Sequence, residues 1–302
     1  MKKSIIIALI IIILGGIGYF ISQKSSTGVT ETTDTTVVAD TNTEENTGVT
    51  DMVEDEGTTR IGASVEGGAI TAYHYGTGDT ELLFVGGIHG GYSWNTALVA
   101  YEMMDYLEAN PSTIPENVKV TVIPVLNPDG LAKVVGTAGR FTEADVPASV
   151  EATIPGRFNA RDVDLNRNFD CEWQPSSKWQ STTVSGGTET FSEPETQAIR
   201  DYVGVNQPEA VVVWYSAAGG VFASSCRNGV SAETNTLTNL YADASGYQAY
   251  EEFDFYEITG DMVNWLAKNN IPAISVLLSD HQNTEWTKNQ KGIEALLNHY
   301  AN

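Results

Sequence analysis

Apolar and polar positions along the chain switch between a period of two and a period near 3.6. Arg60–Val65 and Ala69–Tyr75 alternate apolar and polar residues on either side of Glu66-Gly67-Gly68, which predicts a β-hairpin. Glu81–Val85 is a short apolar strand that runs into Gly86-Gly87-Ile88-His89-Gly90-Gly91. From Asn95 to Leu107 the apolar residues Leu98, Val99, Tyr101, Met104 and Leu107 fall at helical spacing. Val118–Val125 is a β-branched strand closed by the turn signal Asn127-Pro128-Asp129-Gly130. Residues 137–162 show no period and read as loop. Ser192-Glu193-Pro194-Glu195 reads as a helix start, continued by Thr196–Val203. Ala210–Trp214 and Pro272–Leu278 are expected strands, and Thr259–Lys268 and Thr284–Tyr300 expected helices. Strands alternating with helices predict an α/β fold: a mixed, mainly parallel central sheet flanked by helices, made mixed by the N-terminal hairpin. In such sheets a site forms where strands end. Here those ends carry His89, Asn127, Tyr215 and the stretch after Leu277.

The two ends of the chain differ in composition. Lys2 and Lys3 precede an apolar run from Ile5 to Ile21, with no small-x-small cleavage site after it. Residues 1–21 are therefore expected to be a membrane anchor. The leading lysines would keep the N-terminus in the cytoplasm and the rest outside, attached to the cell membrane by a single pass. A removed signal segment, leaving a secreted protein, is the alternative. Residues 22–58 are rich in Thr, Ser, Asp and Glu, too polar to fold, and read as a disordered, self-repelling linker. Residues 59–302 form the one folded domain. The formal net charge of -23 excludes nucleic acid as a partner, because phosphate would be repelled. Outside the cytoplasm the two cysteines, Cys171 and Cys226, are a candidate disulfide; two buried thiols are the alternative.

Arg157-Phe158-Asn159-Ala160-Arg161-Asp162-Val163-Asp164-Leu165-Asn166-Arg167-Asn168-Phe169 resembles a signature of the zinc metallocarboxypeptidases, the carboxypeptidase A-like family. Four other segments agree in order and spacing: Gly87-Ile88-His89-Gly90, Leu126-Asn127-Pro128-Asp129-Gly130, Phe191-Ser192-Glu193-Pro194-Glu195-Thr196, and Tyr256 ahead of Gly260 and Trp265. The resemblance covers roughly residues 60–300. It implies a zinc held by a His and a Glu in one loop and a second His at a later strand end, with an open position for water. A Glu on a late strand would be the general base.

Set against that pattern, the chemistry is incomplete. His89 stands at the first ligand position. The ligand Glu falls at Ser93 if the loop carries one extra residue, and at Tyr92 otherwise. The second His is replaced by Tyr215, directly before Ser216, and the general base by Leu277. An aliphatic side chain cannot accept a proton, and neutral hydroxyls are poor zinc ligands. Zinc, the family's cofactor, is thus expected to be absent or weakly bound. The binding half is retained. The resemblance places Arg157 at the oxyanion position, Asn166 and Arg167 at the C-terminal carboxylate, Tyr256 over the substrate and Val263 where side-chain preference is set. Taken alone, the arginines would instead be read as ion-pair partners of Asp162 or Asp164. His74 and His299 read as structural and surface residues. His281 could join His89 in a replacement metal site, and Glu285 is a helix-start residue or a relocated base. The expectation is a membrane-attached, catalytically silent domain that binds peptides or their C-terminal carboxylates, with an active peptidase using an atypical metal site as the alternative.

Overall fold

The computed structural model describes residues 57–301. The anchor expected at 1–21 and all but the last two residues of the 22–58 linker lie outside the described residues. Among the described residues no helix is long and apolar enough to cross a membrane.

The strands are β1 (Thr58–Ala63), β2 (Ala69–Tyr75), β3 (Thr80–Val85), β4 (Val118–Ile123), β5 (Ser176–Trp179), β6 (Thr182–Ser185), β7 (Ala210–Ser216), β8 (Gly220–Ala223), β9 (Gln248–Tyr250) and β10 (Ala273–Leu278). The helices are α1 (Trp94–Ala109), α2 (Pro128–Val135), the single turn α3 (Val150–Thr153), α4 (Pro194–Asn206), α5 (Ala232–Ser245), α6 (Met262–Lys268) and α7 (Trp286–His299). Eight strands form one sheet in the order β1-β2-β4-β3-β7-β10-β8-β9, and β5 and β6 make a separate hairpin. The pairs β4-β3, β3-β7, β7-β10 and β8-β9 are parallel; β1-β2, β2-β4 and β10-β8 are antiparallel. The sheet is mixed and mostly parallel, as the alternation of periods predicts.

β7 and β10 are continuous apolar runs because both faces of the central sheet are covered. One face carries Val212, Trp214, Ile274 and Val276 against α1, α5 and α7. The other carries Val211, Val213, Tyr215 and Leu277 against α4 and α6.

Three local expectations change. The turn expected at Asn127-Pro128-Asp129-Gly130 is the start of α2: Pro128 takes the first helical position and the Asn127 side chain accepts a hydrogen bond from the Gly130 amide. α6 begins at Met262, three residues later than the pattern predicts, because Asp261 caps it by accepting from the Asn264 amide. α5 was not visible in the pattern because its buried stripe mixes Leu237 and Tyr241 with Thr234, Thr238 and Ser245.

Candidate active site and ligand cleft

The C-terminal ends of β3, β7 and β10 meet at one edge of the sheet and open into a cleft of about 1210 Å³. β3 delivers the glycine loop that carries His89. At Gly90, φ is 41° and a side chain would meet the Gly130 backbone at 2.7 Å, so the loop can pack this closely on α2 only as glycine. Tyr215 and Leu277 are direct neighbours in the parallel β7-β10 register. His89, Tyr92, Arg157, Asn166, Arg167, Tyr215, Tyr256, Val263, Leu277 and His281 all line the cleft, so the structure brings together side chains from across the domain.

At the centre lies a buried ionic cluster. Nε and Nη2 of Arg157 donate to Oδ2 of Asp164 at 2.9 and 2.7 Å. Asp164 Oδ1 faces His89 Nε2 at 3.3 Å. Burial alone would raise the pKa of Asp164, but Arg157, and then His89, outweigh it and hold it well below the usual carboxylate range. Burial, and then the Arg157 charge, push His89 down to about 4, so its imidazole is neutral at physiological pH. The Arg157 guanidinium also lies 4.4 Å from the ring centre of Trp179, on β5, and 5.7 Å from that of Tyr92. Arg157 therefore reaches the cleft with its charge already compensated by Asp164, the ion-pair partner that composition alone would suggest. Asp164 was missed as a site residue, although it sits inside the signature motif. Trp179 was missed because the β5-β6 hairpin carries no clear pattern.

Tyr92 lines the cleft, its ring edge-on to Trp179 at 5.0 Å and 4.4 Å from His281. Ser93 directly precedes α1, is buried with its hydroxyl making no capping hydrogen bond, and does not line the cleft. Of the two positions that the residue spacing leaves open, Tyr92 faces the cleft and Ser93 does not. Burial raises the Tyr92 pKa, and burial followed by the Asp261 charge raises that of Tyr215 strongly, so both phenols stay protonated. Tyr215 donates its hydroxyl hydrogen to Asn166 Oδ1 at 3.1 Å.

Two features suit a metal: Nδ1 of His89 is buried without a hydrogen-bond partner, and a carboxylate backs the other ring nitrogen. The donor set does not. One imidazole, two neutral phenols and a leucine fall short of the three nitrogen, sulfur or carboxylate ligands that zinc takes, and among the described residues no three His, Cys, Asp or Glu side chains converge as a metal group. Zinc does not fit these residues. Glu285 does not serve as a relocated base: it accepts from Tyr247, Ser279 and Lys288 and does not line the cleft. His281 lines the cleft with a buried, unpartnered Nδ1. His74 is bonded to Thr59 and Thr121, and His299 to Glu233, both away from the cleft.

The end of the cleft around Arg167 is built differently. Arg167 is 1% exposed, and its guanidinium donates to the carbonyls of Lys178 at 3.0 and 2.9 Å and of Asn166 at 2.6 Å. Arg167 lines the cleft and makes no ion-pair contact among the described residues. Asn166 is held by Asp261, to which its Nδ2 donates at 2.9 Å, and by the Met262 amide, which donates to its Oδ1 at 3.1 Å. Val263 is buried beneath the cleft, and Tyr256 stands half-buried at the rim, 5.0 Å from Phe253. Cys171 and Cys226 are joined in a disulfide.

The family model for zinc carboxypeptidase matches residues 53–300. Carboxypeptidase B of Astacus astacus is 27% identical over 150 residues, covering 47% of this chain and 48% of that protein. Metallocarboxypeptidase A of Arthroderma otae is 27% identical over 237 residues, covering 68% of this chain and 53% of that protein. The chain thus spans about half the length of these curated relatives. Among solved structures, thrombin activatable fibrinolysis inhibitor superposes with a TM-score of 0.64 at 17% identity, covering 82% of this chain and 69% of that one. Murein-tripeptide amidase MpaA from Escherichia coli O157 superposes with a TM-score of 0.55 at 19% identity, covering 80% and 92%. These likenesses carry the fold, and the matched model spans nearly all of the described domain: the chain belongs to the zinc carboxypeptidase family.

Proposed function

We propose that this domain binds peptides through their C-terminal carboxylate and does not hydrolyse them. The observation that carries the reading is Arg167: a buried cation without an ion-pair partner among the described residues, braced by three bonds to backbone carbonyls and facing the cleft. Asp164 and Asp261 act on its charge without touching it, and a bidentate carboxylate in direct contact is the partner that a guanidinium fork fits best. Leu277 leaves no proton acceptor at the base position, and the phenols of Tyr92 and Tyr215 are poor zinc ligands. Val263 and Leu277 favour an apolar terminal residue. The apolar N-terminal run and the Cys171–Cys226 bond support a membrane-attached protein whose domain works in an oxidising, extracytoplasmic compartment.

A second reading, an active peptidase with an atypical metal site, is favoured by the unpartnered Nδ1 of His89 and by the carboxylate behind its Nε2. One experiment separates the two. The full chain is titrated calorimetrically with N-acetyl-Ala-Phe and with its C-terminal amide, and incubated with the same peptide with and without chelator. Binding of the acid alone, with no release of phenylalanine, is the expected result. Chelator-sensitive release would establish the second reading, and equal binding of acid and amide would remove the carboxylate from the first.

A further inference from the structure

The residues that grip the carboxylate belong to a closed circuit. Asn166 Nδ2 donates to Asp261 Oδ2. Asp261 caps α6, and Asn264, one turn along that helix, accepts from the Ser225 amide at 2.9 Å through its Oδ1. Ser225 precedes Cys226, which is bonded to Cys171. The Cys171 carbonyl accepts from the Gly260 amide at 2.7 Å, and the Gly260 carbonyl accepts from the Phe169 amide at 3.0 Å, which leads back to Arg167 and Asn166. Gly260 has φ of 66°, and a Cβ there would collide with the Arg167 carbonyl oxygen, so this strip packs directly on the backbone of the arginine. The disulfide is the only covalent cross-link in the ring. Beside it, Glu172 and Arg227 form an ion pair that is largely exposed and so contributes little rigidity.

We propose that the Cys171–Cys226 disulfide is a positioning element for the carboxylate grip, so that ligand affinity follows its redox state. This rests on the carboxylate-binding reading. With the bond intact, the loop after β8 and the start of α6 clamp the 166–171 strip, and the Arg167 fork is pre-aimed before ligand arrives. Two-electron reduction by a dithiol cleaves the S–S bond to two thiols and oxidises the reductant to its disulfide. The strip then keeps its hydrogen bonds, the packing of Phe169 on Trp265 and the partly exposed Asp170–Lys268 ion pair, but loses its one covalent tie to the loop after β8, and ordering it on binding costs affinity. Cys226 is partly exposed, which gives a reductant access.

The test uses the full chain and the pair N-acetyl-Ala-Phe and N-acetyl-Ala-Phe-amide, titrated against the oxidised protein, the dithiothreitol-reduced protein and a Cys171→Ala/Cys226→Ala variant. Each is held below its own melting temperature with its circular dichroism verified. The acid is expected to bind the oxidised form and to weaken about tenfold on reduction, as for one misplaced charge-assisted contact. The amide should be indifferent to redox state. A merely structural disulfide would move the melting temperature and leave this acid-to-amide ratio unchanged, and that result would overturn the inference while leaving carboxylate binding in place. Failure of the oxidised protein to discriminate acid from amide would overturn the underlying reading, and the inference with it. If the double variant does not fold, Asn264→Ala, which cuts the non-covalent arm of the same circuit, decides: an unchanged ratio there refutes the positioning role.

Discussion

Arg157 and Arg167, ten positions apart in one motif, do different physical work. Arg157 is spent on Asp164 inside the domain, so replacing it leaves a buried carboxylate without its counter-charge. Arg157→Met is expected to destabilise the fold by about 3–5 kcal/mol in urea unfolding. Arg167 has no such partner, and Arg167→Ala is expected to weaken N-acetyl-Ala-Phe binding by about a hundredfold in calorimetry, the effect of losing a bidentate charged contact. The same cluster sets the pH response. His89 has a folded pKa of about 4, below its unfolded value, so as pH falls below about 6.5 the unfolded chain takes a proton that the folded one refuses. Stability should therefore fall by roughly 3 kcal/mol between about pH 6.5 and 4, and His89→Gln should flatten that part of the curve. Asp164, whose folded pKa is depressed, adds stability that is present above the ordinary carboxylate pKa and lost as pH falls further. Both slopes have the same sign.

Among the elements, the glycine loop after β3 decides which of Tyr92 and Ser93 faces the cleft. The residue spacing left Tyr92 and Ser93 open. The loop geometry turns Tyr92 into the cleft and leaves Ser93 buried directly before α1. A zinc site rebuilt with Tyr92→Glu, Tyr215→His and Leu277→Glu should take up close to one zinc per chain by elemental analysis. The same set with Ser93→Glu in place of Tyr92→Glu should not, and stoichiometric zinc in that second set would refute the placement. The helix α6 shows the limit of pattern reading in another way. Asp261 both caps the helix and holds Asn166, so a carboxylate that looks like an ordinary helix-start residue also lines the cleft.

For the whole molecule, the disulfide closes a loop of 55 residues, and its removal should cost about 4 kcal/mol in the chain-entropy account, read as a lower urea midpoint for Cys171→Ala/Cys226→Ala. The α/β class, the mixed and mostly parallel sheet, the strands β1 to β4, β7 and β10 and the family were legible from the chain alone. Each depends on local periodicity, or on motifs whose residues lie close together in sequence. That Leu277 itself cannot act as a base was legible for the same reason: a hydrocarbon side chain cannot take a proton in any surroundings. What the sequence left undecided was how charge is shared among residues far apart in the chain. Asp164 between His89 and Arg157, Trp179 over the Arg157 guanidinium, and Arg167 left without an ion pair all depend on distances of a few ångströms between separate segments. Attraction between charges varies with separation and with the exclusion of water. Those quantities exist only once β3, β7 and β10 lie side by side and the cleft has closed around their ends.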